Sequence, residues 1–162
     1  MQSAKDSFHV MLRDRIAAIN PERTVVIRGM SRPAVLTAEN ELATALFPTD
    51  SFWLRWVSLS VDVTEALVAM QCEISYATDG TAANGGMDRG RLLAGMDLEL
   101  TTALRREPQN IEKTLYTSAG ATVLTSNIFW GNPTFGKVAV EDERLSRRAT
   151  VEVFAYQEAG LS

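Results

Sequence analysis

Ala66-Leu-Val-Ala-Met-Gln-Cys-Glu-Ile-Ser-Tyr76 alternates apolar and polar side chains more cleanly than any other stretch of this chain. Met70, Cys72, Ile74 and Tyr76 fall on one side, and Gln71, Glu73 and Ser75 on the other. That period of two belongs to a strand in a half-buried sheet. Residues 147–157 repeat the pattern, with Ala149, Val151, Val153 and Ala155 opposite Thr150, Glu152, Phe154 and Tyr156.

Two helices accompany these strands. Phe8, Leu12, Ile16 and Ile19 recur at helical spacing over residues 3–20, which predicts an amphipathic helix. Ser3 is its expected cap, and Asn20-Pro21 its stop. Leu93, Met96, Leu100 and Leu104 form the stripe of a second helix over 88–106, with Asp88 as cap and Pro108 beyond its end. Further strands are expected at 24–28, 52–56, 121–130 and 137–140. Val35 and Leu36 would extend a hairpin, 39–47 is mixed in character, and 79–86 and 109–120 read as loops.

Strands that come in clusters, with only two helices, exclude a parallel sheet covered on both faces. The expected fold class is α+β: a mixed or antiparallel sheet with both helices packed on one face, in a single domain over 1–162. A chain of 162 residues can bury roughly 70% of its unfolded surface without help from metals or disulfides.

The charge balance, 16 basic against 20 acidic side chains, argues against non-specific binding to a nucleic acid backbone. The one cysteine, Cys72, lies within an alternating apolar run, which predicts a buried thiol in a protein made in a reducing cytosol. The N-terminal residues open no apolar run, so no signal peptide is expected. No stretch approaches the ~20 apolar residues of a membrane helix, so a soluble protein is expected.

The residues of common chemistry are sparse. His9 is the lone histidine and lies early in a helix, and no Gly-x-Ser-x-Gly elbow, metal-ligand cluster or P-loop occurs. No catalytic residue, cofactor or metal is therefore expected. The Gly-rich run 79–86 lacks the lysine of a phosphate cradle, and Asp79 and Asp88 would repel a phosphate, so it reads as a flexible connection. Glu141, Asp142 and Glu143 form an acidic run in a predicted loop. Trp53 and Arg55 fall opposite Phe52, Leu54 and Trp56, a pairing of residue types enriched at interface hot spots.

The amphipathic first helix ending at Asn20-Pro21, the 66–76 strand, the segment Met87-Asp-Arg-Gly-Arg-Leu-Leu-Ala-Gly-Met-Asp-Leu-Glu-Leu100 and the closing Arg147-Arg-Ala-Thr-Val-Glu-Val-Phe-Ala-Tyr156 resemble, in order and length, one family. It is the phage tail terminator (tail completion) family, typified by the lambda tail terminator. The likeness covers most of the chain, includes no invariant motif, and departs from the family's pattern by extra residues around 109–120. It implies a virion protein made in the host bacterial cytoplasm. Its subunits form a ring, usually a hexamer, that stops tail-tube polymerisation and presents a head-joining surface. The implied partners are other copies of the chain, the tail tube protein and a head-tail connector or head completion protein, with DNA passing through the lumen unrecognised. On that reading Trp53, Arg55, Arg147 and Arg148 are candidate subunit-interface residues. Glu141, Asp142 and Glu143 are candidates for an acidic lumen or rim. Two alternatives are a small α+β enzyme or ligand-binding domain using Tyr76, Asp97 or Glu73, and another neck, tail-tube or head-completion subunit.

Overall fold

A computed structural model describes residues 1–41 and 48–157. In chain order the elements are α1 (Gln2–Ile19), β1 (Thr24–Ile27), β2 (Met30–Pro33), β3 (Val35–Thr37), β4 (Phe52–Asp62), β5 (Leu67–Thr78), α2 (Arg89–Arg105), β6 (Asn110–Thr117), β7 (Gly120–Trp130), β8 (Thr134–Phe135), β9 (Ala139–Glu141) and β10 (Arg144–Tyr156). The main sheet runs β3-β4-β5-β10-β7-β6, and β8 and β9 pair with β10 beside β7. All its pairings are antiparallel except β3 with β4. β1 and β2 form a separate two-stranded sheet. The architecture is the expected α+β one.

The two alternating stretches become neighbours. β5 and β10 pair without interruption from Leu67↔Tyr156 to Thr78↔Leu145, so Met70, Cys72, Ile74 and Tyr76 share a face with Ala149, Val151, Val153 and Ala155. All eight are buried, in one cluster with Phe8, Leu12 and Ile16 of α1 and Leu93, Met96, Leu100 and Leu104 of α2. Both helices therefore cover the same side of the sheet.

Helix α1 touches both edges of that sheet. The His9 ring lies 2.9 Å from the Val35 carbonyl of β3, while Ser7 Oγ accepts from Thr114 N of β6 at 2.9 Å. Between these points Phe8 meets Trp56 and Trp130 edge-on, with ring centroids 5.7 and 5.8 Å away. The sheet thus curls around α1, and among the described residues no helix lies on its outer surface.

Several local expectations are corrected. Ser3 does not cap α1; it lies inside the helix, where its carbonyl accepts from Ser7 Oγ at 2.6 Å. Ile19, at the last turn, is 40% exposed rather than part of the buried stripe. Val35 and Leu36 do not extend the β1–β2 hairpin but pair in parallel with β4. Residues 109–120 are mostly a strand: β6 joins β7 through Thr117↔Gly120 and binds α1 through Ser7. Its composition, Asn-Ile-Glu-Lys-Thr-Leu-Tyr-Thr, hides the strand, because an edge strand anchored by polar contacts needs no clean apolar face. β4 continues six residues past Trp56, after a bulge between Trp56 and Ser58. Of the mixed segment 39–47, residues 42–47 lie outside the described residues.

The Gly-rich loop before α2 is held, not free. Asp88 makes no side-chain cap to its own helix; its carboxylate accepts from Thr81 N at 2.8 Å and Thr81 Oγ1 at 2.5 Å. These two bonds hold the Asp88 carboxyl down to about 2. Gly80 sits at φ +78°, and a Cβ there would lie 2.6 Å from Gly86 Cα, so only glycine lets the loop close.

Candidate functional site

The outer face of the sheet carries Trp53, Arg55 and Arg148, three of the four residues that sequence reading assigned to an interface. Cross-strand register places Trp53, Ser75 and Arg148 in one row, and Arg55, Glu73 and Thr150 in the next. Glu73 Oε1 lies 2.9 Å from Arg55 Nη2 and 3.2 Å from Arg148 Nε. The carboxylate side chain is 15% exposed, whereas its two arginines are 57% and 62% exposed. Two guanidiniums share one anion, so each keeps unused donors, while the exposed Glu152 sets a second carboxylate in the following row. Arginine in that state suits planar pairing with carboxylates of another surface.

Further along the same face the polar rows give way to aromatics. Phe129 of β7 stacks on Phe154 of β10 with centroids 5.2 Å apart, and Tyr156 lies 6.3 Å from Phe129. Phe129 and Phe154 are half-buried and Tyr156 is 46% exposed. Alternation in β10 made this face readable, and among the described residues no helix covers it.

Arg147 does not belong there. It pairs with Tyr76 in the β5–β10 ladder, so its side chain points to the helix side. Its Nε lies 3.0 Å from Asp97 Oδ1, and Nη1 donates to the Gly136 carbonyl at 2.6 Å. The Tyr76 hydroxyl donates to the same Asp97 oxygen. Tyr76, Asp97 and Arg147 thus fasten α2 to the sheet, and Glu73, the third group considered for a ligand pocket, lies on the opposite face. Burial, then the bond to Asp97 and its charge, push the Tyr76 phenol well above its ordinary range, with Arg147 opposing weakly. Such a phenol holds its proton near neutral pH and serves as a donor, not a base. The parity of β10 carried this signal, because adjacent residues in a strand face opposite ways.

The acidic run forms the β9–β10 turn. Glu141 ends β9, Asp142 turns the chain at φ 53°, and all three acids are exposed. Arg89 at the start of α2 donates to the Glu143 carbonyl, and Arg144 pairs with Asp79 at 3.2 Å. The turn is therefore positioned from both sides while Glu143 keeps a 92% exposed carboxylate. Met87, Val138 and Val140 lie exposed in the same region, at 91%, 44% and 72%.

Two hairpin tips escaped the sequence reading. Val57, Leu59, Val61 and Val63 of the β4–β5 hairpin are all exposed, with Val63 at 88%. Val26 and Met30 of the β1–β2 hairpin are 68% and 70% exposed. The alternation of Val57, Leu59 and Val61 was readable, but not that this part of β4 runs beyond the helices.

A hollow of about 430 Å³ is open to solvent beside Gly136, Lys137, Glu141, Arg144 and Arg148. Among the described residues no group of three or more His, Cys, Asp and Glu is placed to hold a metal ion. Cys72 is buried, and burial pushes its thiol far above the ordinary range. Among the described residues no helix is long and apolar enough to cross a membrane. No protein-family model and no curated protein matches the chain.

Proposed function

We propose that this chain is a structural virion subunit, a tail terminator that assembles as a closed ring on a finished phage tail tube. The observation that carries the reading is where the apolar and charged surface lies. Among the described residues no helix covers one sheet face, which carries Trp53, Arg55 and Arg148 at one end and Phe129, Phe154 and Tyr156 at the other. The hairpin tips add exposed Val57, Leu59, Val61 and Val63. Exposed aromatic and aliphatic side chains set beside arginines are the surface types enriched at protein contacts. An enzyme reading has less to draw on, since Tyr76 and Asp97 are committed to a bond between helix and sheet.

In the proposed ring, Trp53, Arg55 and Arg148 face neighbouring subunits or the tail tube, and Arg147 serves the subunit's own interior. Glu141, Asp142 and Glu143 line the lumen or meet a basic rim on a head completion protein. A negative lumen wall repels the phosphate backbone and lets DNA slide. The ring is hexameric on the likeness to the tail terminator family, and its place is the virion neck.

Sedimentation over a concentration series, with negative-stain images of the largest species, tests this. Ring-shaped particles with a central hole are expected. A strict monomer at the highest concentration, both alone and with tail tubes, refutes the reading.

A further inference from the structure

The two exposed hairpins differ in charge as well as position. From Val57 to Met87 the sequence contains no lysine or arginine, and the β4–β5 turn carries Asp62 and Glu65. From Arg23 to Ala38 it contains no aspartate or glutamate, and the β1–β2 turn carries Arg28. Arg23 and Arg32 of that second stretch are already paired, with Glu99 and Glu41. Arg28, Asp62 and Glu65 have no ion pair among the described residues, and all three are exposed. One hairpin is thus apolar and basic at its tip, the other apolar and acidic.

They cannot meet within one chain. Ala34 N donates to Arg23 O at 3.0 Å and Phe52 N donates to Ala34 O at 2.8 Å, which anchors the base of β1–β2 at the start of β4. Arg23 Nε fixes the same base to Glu99 of α2, at 2.8 and 3.0 Å from its two oxygens. The acidic turn lies at the far end of β4, 11 residues on. At about 3.3 Å per residue the two ends stand roughly 30 Å apart.

We infer that the acidic β4–β5 hairpin of one copy docks on the basic β1–β2 hairpin of the next, head to tail. Two unlike patches at opposite ends of one subunit make a heterologous contact, which closes into a ring where its rotation divides the circle. Both hairpins have reason to be covered. Past Leu54 the outer edge of β4 has no strand partner among the described residues, and an open apolar edge invites pairing. A two-stranded sheet such as β1–β2 is marginal by itself in water. Docking buries Val26 and Met30 against Val57, Leu59, Val61 and Val63, while Arg28 meets Asp62 and Glu65.

This inference rests on the ring proposal and specifies its interface, so the test separates the two. Self-association is measured by sedimentation for the wild type, Arg28→Glu, the double variant Asp62→Lys/Glu65→Lys, and all three substitutions combined. Each reversal is expected to weaken association by about tenfold or more, and the combination to restore most of it, as opposed charges across an interface do. Thermal melts by circular dichroism identify any variant that has lost its fold. An independent arm mixes Met30→Cys with Val63→Cys protein under oxidising conditions. Cys72 is buried, so a disulfide-linked dimer found only in the mixture supports the contact. If the wild type assembles but the reversals change nothing and no mixed disulfide forms, the hairpin contact is wrong and the ring stands. If the wild type stays monomeric both alone and with tail tubes, both fail.

Discussion

Replacing Arg147 by Ala asks whether this arginine serves the interior or an interface. Its guanidinium pairs with Asp97 at 3.0 Å and donates to Gly136 O at 2.6 Å, with 21% of its side chain exposed and 26% of that of Asp97. Nε makes no hydrogen bond to Asp97, so the contact counts as an ion pair, worth about 0–1 kcal/mol when exposed, whereas breaking a fully buried pair costs about 3–5. Asp97 is partly hydrated and keeps the Tyr76 hydroxyl as a donor, so the cost falls between these limits, about 1–3 kcal/mol. Asp97→Ala removes both partners at once. It leaves the buried Tyr76 hydroxyl unpaired as well, for about 2–4 kcal/mol. Urea titrations of Arg147→Ala, Asp97→Ala and the double variant give the coupling between them. Residues that share one ion pair are non-additive, by about 1 kcal/mol here. A destabilisation below about 0.3 kcal/mol by Arg147→Ala, with strict additivity, would refute the interior role. Weakened self-association with unchanged stability would return Arg147 to the interface.

Leu100 is fully buried on the helix side, so Leu100→Ala should cost about 2–5 kcal/mol in a denaturant titration. Burial lowers the pKa of His9 from its ordinary value, so the unfolded chain binds a proton first as pH falls. Stability should therefore decline below about pH 6.5, and His9→Gln, which keeps a donor for Val35 O, should flatten that decline in pH-dependent melts. Changing Glu141, Asp142 and Glu143 to lysine should leave the melting transition nearly unchanged, since exposed charges contribute little. In a phage complementation assay the same triple variant should lose infectivity, and full infectivity would remove the acidic turn from the proposed function.

The helix stripes and the alternation in β5 and β10 were legible because each burial rule is local: spacing along the chain reports the face directly. The same rule separates Arg147 from Arg148, which differ by one position and face opposite ways, yet treating them as a basic pair concealed it. What stayed hidden depends on remote partners. Ser7 satisfies Thr114 across 107 residues, so β6 needs no apolar pattern of its own. β3 is three residues long and is defined by parallel pairing with β4. Asp88 occupies a cap position but turns back to Thr81, a choice set by loop closure at Gly80 rather than by helix preference. The interface candidates Trp53, Arg55 and Arg148 came from strand parity, whereas the hairpin tips required knowing where the helices stop.

The centre of the sheet is occupied by its latest strand. β10 pairs along its length with β5, whose residues precede it by roughly 80 positions, and also receives β7, β8 and β9. Until residue 156 has emerged from the ribosome, β5 and β7 have no common neighbour and the helices have no complete floor to rest on. Closing so long a loop is slow and exposes unpaired strand edges meanwhile. Nascent chains on one polysome therefore carry the edge of β5 uncovered, and synthesis that stalls before β10 leaves an aggregation-prone fragment, not a smaller working subunit.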